Sequence, residues 1–514
     1  MVASDYYTLP VLLGLPLLAS ALPQPGTSIS NSSSVSWSKC DSSEIPDTVD
    51  CGTLQVPLDH HNPQNGTITL GMMRLKAKGQ SPLGSFFYNN GGPGQVSAPS
   101  IVKQAKWEAA GSDWEKGLPF VTEALREAYD IIGLDMRGQT LSSPLRCDKT
   151  FINKPVKQLA FDDESFQTLV EHNKAFAESC ARMTGPLFFK MGTDQVIRDL
   201  DLVRQGVGDE KLNWMGWSGG SQIGAEYAEL FPEHVGRMVL DGMNERSLSD
   251  TDSIIGEAVA YEASLNDFFR WCNTTTDCVM HGRDLPTIWD SLVDAAAKKP
   301  LAAPGCLNET RAPPCLPKVT DEDFLIYALD VLNVDAGFPL LAENLRKAWD
   351  EDDAIGFAPQ RFESDVVNNN EIAFAHFDVL CSDYTRDHIR SAADLRAIFT
   401  AARALCPHTR GVNVMQHART ACLGWPFEPT NPQHTFNTEA TSKLPTILIA
   451  NSYWDPATSV QWAVTMREQL PSAVNVFRKG NHHTSYRRKG EVARVIDAFL
   501  VNGTVPADGT TYLT

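Results

Sequence analysis

Leu212-Asn213-Trp214-Met215-Gly216-Trp217-Ser218-Gly219-Gly220 decides how this chain is read. A short apolar run leads into Gly-x-Ser-x-Gly. An amphipathic stretch follows, Ser221 to Leu230, and stops at Phe231-Pro232. Strand, sharp turn, helix is the sequence form of a nucleophile elbow, which leaves a serine hydroxyl exposed at the start of the helix. Gly216 and Gly220 flank the turn, where a Cβ would collide with neighbouring backbone. The five-residue pattern alone is weak, since a glycine-rich loop with a surface serine spells the same letters. The strand-like run before it and a second one after it, Val235 to Asp241, favour the elbow. Ser218 is the candidate nucleophile.

A serine hydroxyl attacks poorly until a base takes its proton, and that base must be held in the right tautomer. Behind an elbow of this kind the partners come in the order Ser, then Asp or Glu, then His, each just after a late strand. Asp455 meets this requirement in Asn451-Ser452-Tyr453-Trp454-Asp455-Pro456, after the apolar run Leu444 to Ala450. His483 meets it in Gly480-Asn481-His482-His483-Thr484-Ser485, after Val474 to Phe477. Singly, Asp-Pro is ordinary turn chemistry and His-His an ordinary surface loop. His482 is the rival base. Asp241, which also ends a strand, is the rival acid.

A tetrahedral intermediate needs backbone N–H donors for its oxyanion. One comes from the residue after the nucleophile, here Gly219, and one from the early strand-to-helix loop. Asn89-Asn90-Gly91-Gly92-Pro93-Gly94 follows the strand-like Gly84 to Tyr88 and makes Gly92 the candidate. A phosphate-cradling loop would carry Lys-Ser/Thr or Gly-x-Gly-x-x-Gly, and neither is present.

The net charge of −19, with no block of Lys and Arg, argues against nucleic acid and anionic membranes as partners. Leu9 to Leu18 followed by Ala19-Ser20-Ala21 reads as a secretory signal peptide, although its flank holds Asp5 and no basic residue. An anchor is the alternative, but so short a run, broken by Pro10 and Pro16, does not span a bilayer. Sequons at Asn31, Asn65, Asn273, Asn308 and Asn502 agree with secretion. Eleven cysteines offer Cys40 with Cys51, Cys147 with Cys180, Cys272 with Cys278 and Cys306 with Cys315 as staples. Cys381, Cys406 and Cys422 then leave one thiol over. No Cys/His cluster has metal-ligand spacing, so neither metal nor cofactor is expected.

Strand-like and helical segments alternate from Cys51 onward, which argues a mostly parallel α/β sheet with helices on both faces. After Asp241 some two hundred residues read as helices and Pro-rich breaks before strand patterns return at Leu444. The expected organisation is a signal peptide (1–21), an N-terminal extension (22–50, Ser/Pro-rich and disordered to about residue 36), a first core segment (51–245), a helical insertion (246–435) and a closing core segment (436–514). Two independent domains are less economical, because the last strands are too few for a sheet of their own.

Gly91-Gly92-Pro93-Gly94, Asp135-x-Arg137-Gly138, the Ser218 elbow, Phe231-Pro-Glu-His-Val-Gly-Arg-Met-Val-Leu-Asp-Gly242 and Gly480-x-x-His483-Thr-Ser together resemble the proline iminopeptidase and tripeptidyl aminopeptidase branch of the α/β-hydrolases. Cys422-Leu-Gly-Trp-Pro426 and Val501-Asn-Gly-Thr-Val-Pro506 resemble the C-terminal region of the tripeptidyl type. The resemblance runs from about residue 50 to the end. It implies an α/β-hydrolase fold whose insertion caps the sheet, a Ser218–Asp455–His483 triad, and an exopeptidase whose acidic side chains hold the substrate's free ammonium. Glu245 is a candidate for that acid, against a plain solvated cap residue. Three positions depart from the family pattern: Gly219 where Tyr is common, Gln139-Thr140-Leu141-Ser142 in the turn after Arg137-Gly138, and Asn90 before Gly-Gly.

The expected substrate is an oligopeptide. A small amide or ester, handled by the same triad, is the alternative, since cap rather than motif sets the substrate. A non-catalytic binding protein fits poorly with a complete triad.

Overall fold

The computed structural model describes residues 34–111, 120–152, 154, 156–308, 314–334, 337–359, 367–385 and 388–513. The expected signal peptide, the Ser/Pro-rich segment up to residue 33 and the Asn31 sequon lie outside the described residues.

Ten strands make one sheet: β1 (Ser36–Lys39), β2 (Val49–Pro57), β3 (Thr67–Leu75), β4 (Ser85–Asn89), β5 (Asp130–Leu134), β6 (Leu212–Trp217), β7 (Val235–Asp241), β8 (Ile447–Trp454), β9 (Ala473–Asn481) and β10 (Thr510–Leu513). Their order is β1-β2-β3-β5-β4-β6-β7-β8-β9-β10. The first three pairings are antiparallel, and every pairing from β5–β4 to β9–β10 is parallel. This is the mostly parallel α/β sheet that the alternation predicted. β4 and β6 are buried along their whole length, as strands covered on both faces must be.

Alternate residues of β6 feed two cores. Trp214 packs with Phe87, Ile132 and Leu240 on one face of the sheet, and Trp217 with Tyr88, Val239 and Tyr486 on the other. The chain leaves β4 towards β5 on one side, and β6 follows on the other. A crevice therefore opens at the C-terminal ends of β4 and β6, where open α/β sheets bind ligands.

Between β7 and β8 run the helices Asp250–Thr274, Leu285–Lys298, Asp321–Leu332, Gly337–Asp350, Val367–Asp383, Ala392–Leu405 and Val414–Thr420. Phe268, Trp289, Phe324 and Leu341 centre their own apolar cluster. Leu159, Ala160 and Leu169 join that cluster from far upstream. Asn173, on the Asp163–Thr184 helix, donates to the carbonyls of Thr420 and Leu423 at 2.9 and 3.0 Å. The segment read as an N-terminal extension supplies β1 and the start of β2, and Val35 is buried against the core.

The four pairings expected from spacing form as disulfides, and Cys381 bonds Cys422. Cys406 is the thiol left over; it is buried, and burial pushes its pKa up to about 12. No described helix is long and apolar enough to cross a membrane.

Candidate active site

Ser218 sits between β6 and the Gly219–Leu230 helix at φ 55° and ψ −123°, a conformation that side chains rarely adopt. Three contacts hold it there. Its N–H donates to the Asp241 carbonyl at 2.9 Å, and its own carbonyl accepts from the Ser221 N–H at 2.8 Å and the Ser221 hydroxyl at 2.5 Å. The glycines are required by space. A Cβ on Gly216 would lie 1.9 Å from the Gly220 carbonyl oxygen, and one on Gly220 would lie 2.8 Å from Asn89 Oδ1.

Asp455 and His483 come together at the ends of β8 and β9. His483 Nδ1 lies 3.0 Å from both Asp455 carboxylate oxygens. Both side chains are buried. The carboxylate also accepts the N–H groups of Ala457, Thr458 and Thr484 at 2.8 to 3.0 Å. Burial alone would raise the Asp455 pKa. The His483 ring and these N–H groups outweigh it and hold the acid below its usual value. A bound Nδ1 leaves Nε2 as the nitrogen free to exchange a proton. The His483 ring lies against Gly242, 3.2 Å from where a Cβ there would sit, and Gly242 directly follows the Asp241 carbonyl that receives Ser218.

The two rivals have other places. The Asp241 carboxylate accepts the N–H groups of Ser485 and Tyr486, so it ties down the histidine loop and does not touch the His483 ring nitrogen that Asp455 holds. The His482 ring lies tilted towards Phe338 of the insertion, 6.0 Å between centroids.

Gly91 and Gly92 lie directly on the elbow. A Cβ on Gly91 would approach the Trp217 carbonyl to 2.4 Å and Ser218 Cβ to 2.9 Å. A Cβ on Gly219 would point at the Gly92 carbonyl oxygen, 2.7 Å away. A side chain at 219 would have to displace the loop backbone, so the loop as it stands here suits glycine at this position. Asn90 donates to the Val96 carbonyl and the Ser100 hydroxyl, bracing the same loop. In the third departure Ser142 bonds the Asp135 carbonyl and the Gly71 N–H, while buried Arg137 forks onto Asp199 with two 2.7 Å bonds. These are braces of the fold.

A pocket opens beside Gly91, Pro93 and Gly219, walled by Val196, Ile223, Val379 and Leu380. Asp383 and Tyr384, on and just after the Val367–Asp383 helix, also line it. Asp383 accepts from the Thr193 N–H at 2.8 Å, the Thr193 hydroxyl at 2.5 Å, Asn431 Nδ2 at 3.1 Å and Gln222 Nε2 at 3.5 Å. Burial pushes its pKa up, against the pull of Arg246. Glu245 does not reach this pocket. It is buried rather than solvated, and Ser247, Thr465 and Gln469 (2.7 Å) saturate its carboxylate. Asp383 carries no sequence motif, and only the packing of the insertion brings it to the elbow.

A family model described as alpha/beta hydrolase fold matches residues 86–287, which hold β4 to β7 and Ser218. One described as TAP-like protein matches 411–512, which hold β8, β9, Asp455 and His483. The chain has the α/β-hydrolase fold. Curated relatives span nearly its whole length. Serine protease Hip1 of Mycobacterium tuberculosis H37Rv is 27% identical over 92% of this chain and 90% of its own. Tripeptidyl aminopeptidase of Streptomyces lividans is 26% identical over 93% and 86%. Carboxylesterase B of Mycobacterium tuberculosis H37Rv is 27% identical over 96% and 95%. This α/β-hydrolase is a serine hydrolase with peptidase-like relatives.

Proposed function

We propose that this α/β-hydrolase is an aminopeptidase that releases N-terminal residues or short peptides through a Ser218–His483–Asp455 triad. The observation that carries the reading is the buried His483–Asp455 pair, held by the ends of β8 and β9 against the strand that anchors Ser218. Ser218 Oγ attacks the scissile carbonyl carbon as His483 Nε2 takes its proton. The oxyanion rests on the Gly92 and Gly219 N–H groups. His483 then returns the proton to the leaving amine, and water repeats the cycle on the acyl-enzyme. Asp455 stays ionised and fixes the imidazole.

Support for a peptide substrate comes from the relatives named as a protease and a tripeptidyl aminopeptidase. Asp383 lines the pocket beside the elbow, but Thr193, Gln222 and Asn431 occupy its oxygens as Ser247, Thr465 and Gln469 occupy those of Glu245, so neither acid is offered for the substrate ammonium. The relative named Carboxylesterase B and the apolar pocket walls favour a second reading, an esterase or amidase on a small molecule.

Hydrolysis of tripeptidyl p-nitroanilides with a free amine, and not of their N-acetylated forms, is the expected result. Turnover of blocked amides or p-nitrophenyl esters alone would overturn the aminopeptidase reading. Ser218→Ala should abolish whichever activity is found.

Secretion with loss of residues 1–21 belongs to the same proposal. Five disulfides support it, since such bonds persist in oxidising compartments. Asn65, Asn273, Asn308 and Asn502 are exposed, as glycan acceptors need to be. Mass spectrometry of the protein recovered from culture medium, before and after deglycosylation, tests both points.

A further inference from the structure

His376 lies on the Val367–Asp383 helix of the insertion, yet its ring nitrogen Nδ1 sits 2.8 Å from the carbonyl oxygen of Pro93 in the loop against the elbow. A carbonyl only accepts, so the imidazole donates. Burial holds the His376 pKa below its usual value, which keeps the ring in its neutral form.

The loop it grips has little side-chain substance of its own. Gly91, Gly92 and Gly94 stand at φ of 90°, 104° and 93°, which glycine adopts without strain and leaves just as easily. Its orientation comes from hydrogen bonds. The Gly91 N–H donates to Asn89 Oδ1 at 2.9 Å, and the Gln95 N–H donates to the Gly91 carbonyl at 3.3 Å. The second bond matters most. In a trans peptide the carbonyl and the N–H point in opposite directions. A Gly91 carbonyl turned towards Gln95 therefore turns the Gly92 N–H the other way. Pro93 lies inside the turn that this bond closes, and its carbonyl is the one His376 holds. Gln139 Nε2 donates to the next carbonyl but one, that of Gln95, at 3.4 Å. Asn89, Asn90 and Gln139 all belong to the sheet side of the molecule; His376 is the brace that comes from the insertion.

We infer that His376 is a positioning residue that fixes the aim of the oxyanion-binding Gly92 N–H from the cap. This rests on the reading of Ser218 as nucleophile and Gly92 as donor. Loss of the brace weakens a contact that strengthens in the transition state and leaves ground-state binding alone, so it lowers kcat and spares KM.

The test compares His376→Ala, His376→Asn and His376→Phe in the full-length enzyme. Asn presents an amide N–H close to the place of Nδ1, and Phe keeps the ring without the donor. The expected result for Ala and Phe is a kcat on p-nitrophenyl butyrate or a tripeptidyl p-nitroanilide about tenfold lower, with KM unchanged, a fraction of the loss of a whole oxyanion donor. Affinity for phenylboronic acid, which forms a tetrahedral adduct with the serine, should fall by the same factor. Asn should recover most of both. Unchanged kcat and boronate affinity in Ala or Phe overturns the inference, and so does a raised KM with unchanged kcat, which would mean that His376 touches substrate. If the alanine variant fails to fold, the Phe and Asn variants decide by the same readings. Activity surviving in Ser218→Ala would instead overturn the nucleophile assignment, a result that no His376 variant can mimic.

Discussion

The Asp241 carboxylate accepts the N–H of Ser485 on both of its oxygens, at 2.8 and 3.0 Å. One of those oxygens also takes the Tyr486 N–H, and the Asp241 carbonyl receives the N–H of Ser218. One residue at the end of β7 thus spaces the serine turn from the histidine loop. Burial, first of all, pushes its pKa up to about 6, and the N–H donors pull against that. Asp241→Asn keeps one acceptor oxygen and puts an amide NH₂ where the other oxygen faces an N–H. The expected cost is about 1–3 kcal/mol of stability for the unsatisfied group. kcat should fall with it, and Asp455 remains in place. Thermal melts and steady-state kinetics on the variant check both; wild-type kcat would remove Asp241 from the site's support.

Asp455→Asn keeps the shape of the acid and loses its charge. The expected fall in kcat is about ten-thousandfold, because the imidazole is then held in the wrong tautomer. Unaltered circular dichroism would separate this loss from misfolding. A fall of less than tenfold would return the role of acid to another residue.

Gly219→Tyr restores the residue common in the family and should damage this enzyme. The new Cβ meets the Gly92 carbonyl carbon and oxygen at 3.0 and 2.7 Å, and backbone gives way less readily than side chain. The expected cost is about 1–3 kcal/mol for overpacking. It should come with a kcat loss larger than that of Ile223→Ala, which alters only a pocket wall. Equal or higher activity in Gly219→Tyr would show that the loop moves freely.

Stability should rise as the medium is acidified from about pH 8 to about pH 5. Burial pushes Glu257 up to about 8, Glu322 and Asp330 to about 7, and Asp135 to about 6. A carboxyl whose folded pKa lies above its unfolded value contributes stability that is fully present below the unfolded value, near 4, and is lost as the pH climbs through the folded one. Asp455 and Glu229, held low, contribute in the opposite sense, and their share is lost only as the pH falls below the unfolded value near 4. Melting temperatures across this range should therefore peak on the acid side of neutrality, and Glu257→Gln should flatten the descent towards pH 8. A curve rising from pH 5 to 8 would contradict the burial of these acids.

Replacing Cys381 and Cys422 by alanine should lower stability by about 4 kcal/mol if the bond acts by restricting the unfolded chain across its 41-residue separation. Differential scanning calorimetry of the double variant reads this directly.

The elbow was legible because its constraint is local. Gly216, Ser218 and Gly220 are adjacent in sequence, and backbone sterics alone demand glycine at the flanks. Asp455 and His483 were legible through order, each just after a strand-like segment, Leu444 to Ala450 and Val474 to Phe477. Asp241 was noticed for the same reason, but its carboxylate serves N–H groups 244 and 245 residues away, and no spacing rule encodes that. Glu245 misled because an acid after a strand is read by position, whereas its fate is set by Thr465 and Gln469, 220 and 224 residues later. β1 was hidden in a Ser-rich stretch, a four-residue strand held by pairing with β2 and by the packing of Trp37 against the core. His376 and Asp383 stand on a helix of the insertion without any motif, and their meaning arises only where that helix meets the loop after β4.

β7 and β8 are hydrogen-bonded neighbours, Val239 opposite Leu448 and Asp241 opposite Ala450. To the sheet, everything from Gly242 to Thr446 is one crossover between adjacent parallel strands, begun at the C-terminal end of β7 and ended at the N-terminal end of β8. The closure entropy of such a loop grows only with the logarithm of its length, so lengthening, trimming or exchanging it costs the sheet little. Any replacement must still supply the side chains that the insertion gives to the sheet's own core, Phe374, Leu380 and Trp425 among them, and leave the strand ends that carry Ser218, Asp455 and His483 in place. The same seam, at Gly242 and Thr446, is where a grafted insertion from one of the relatives would be joined.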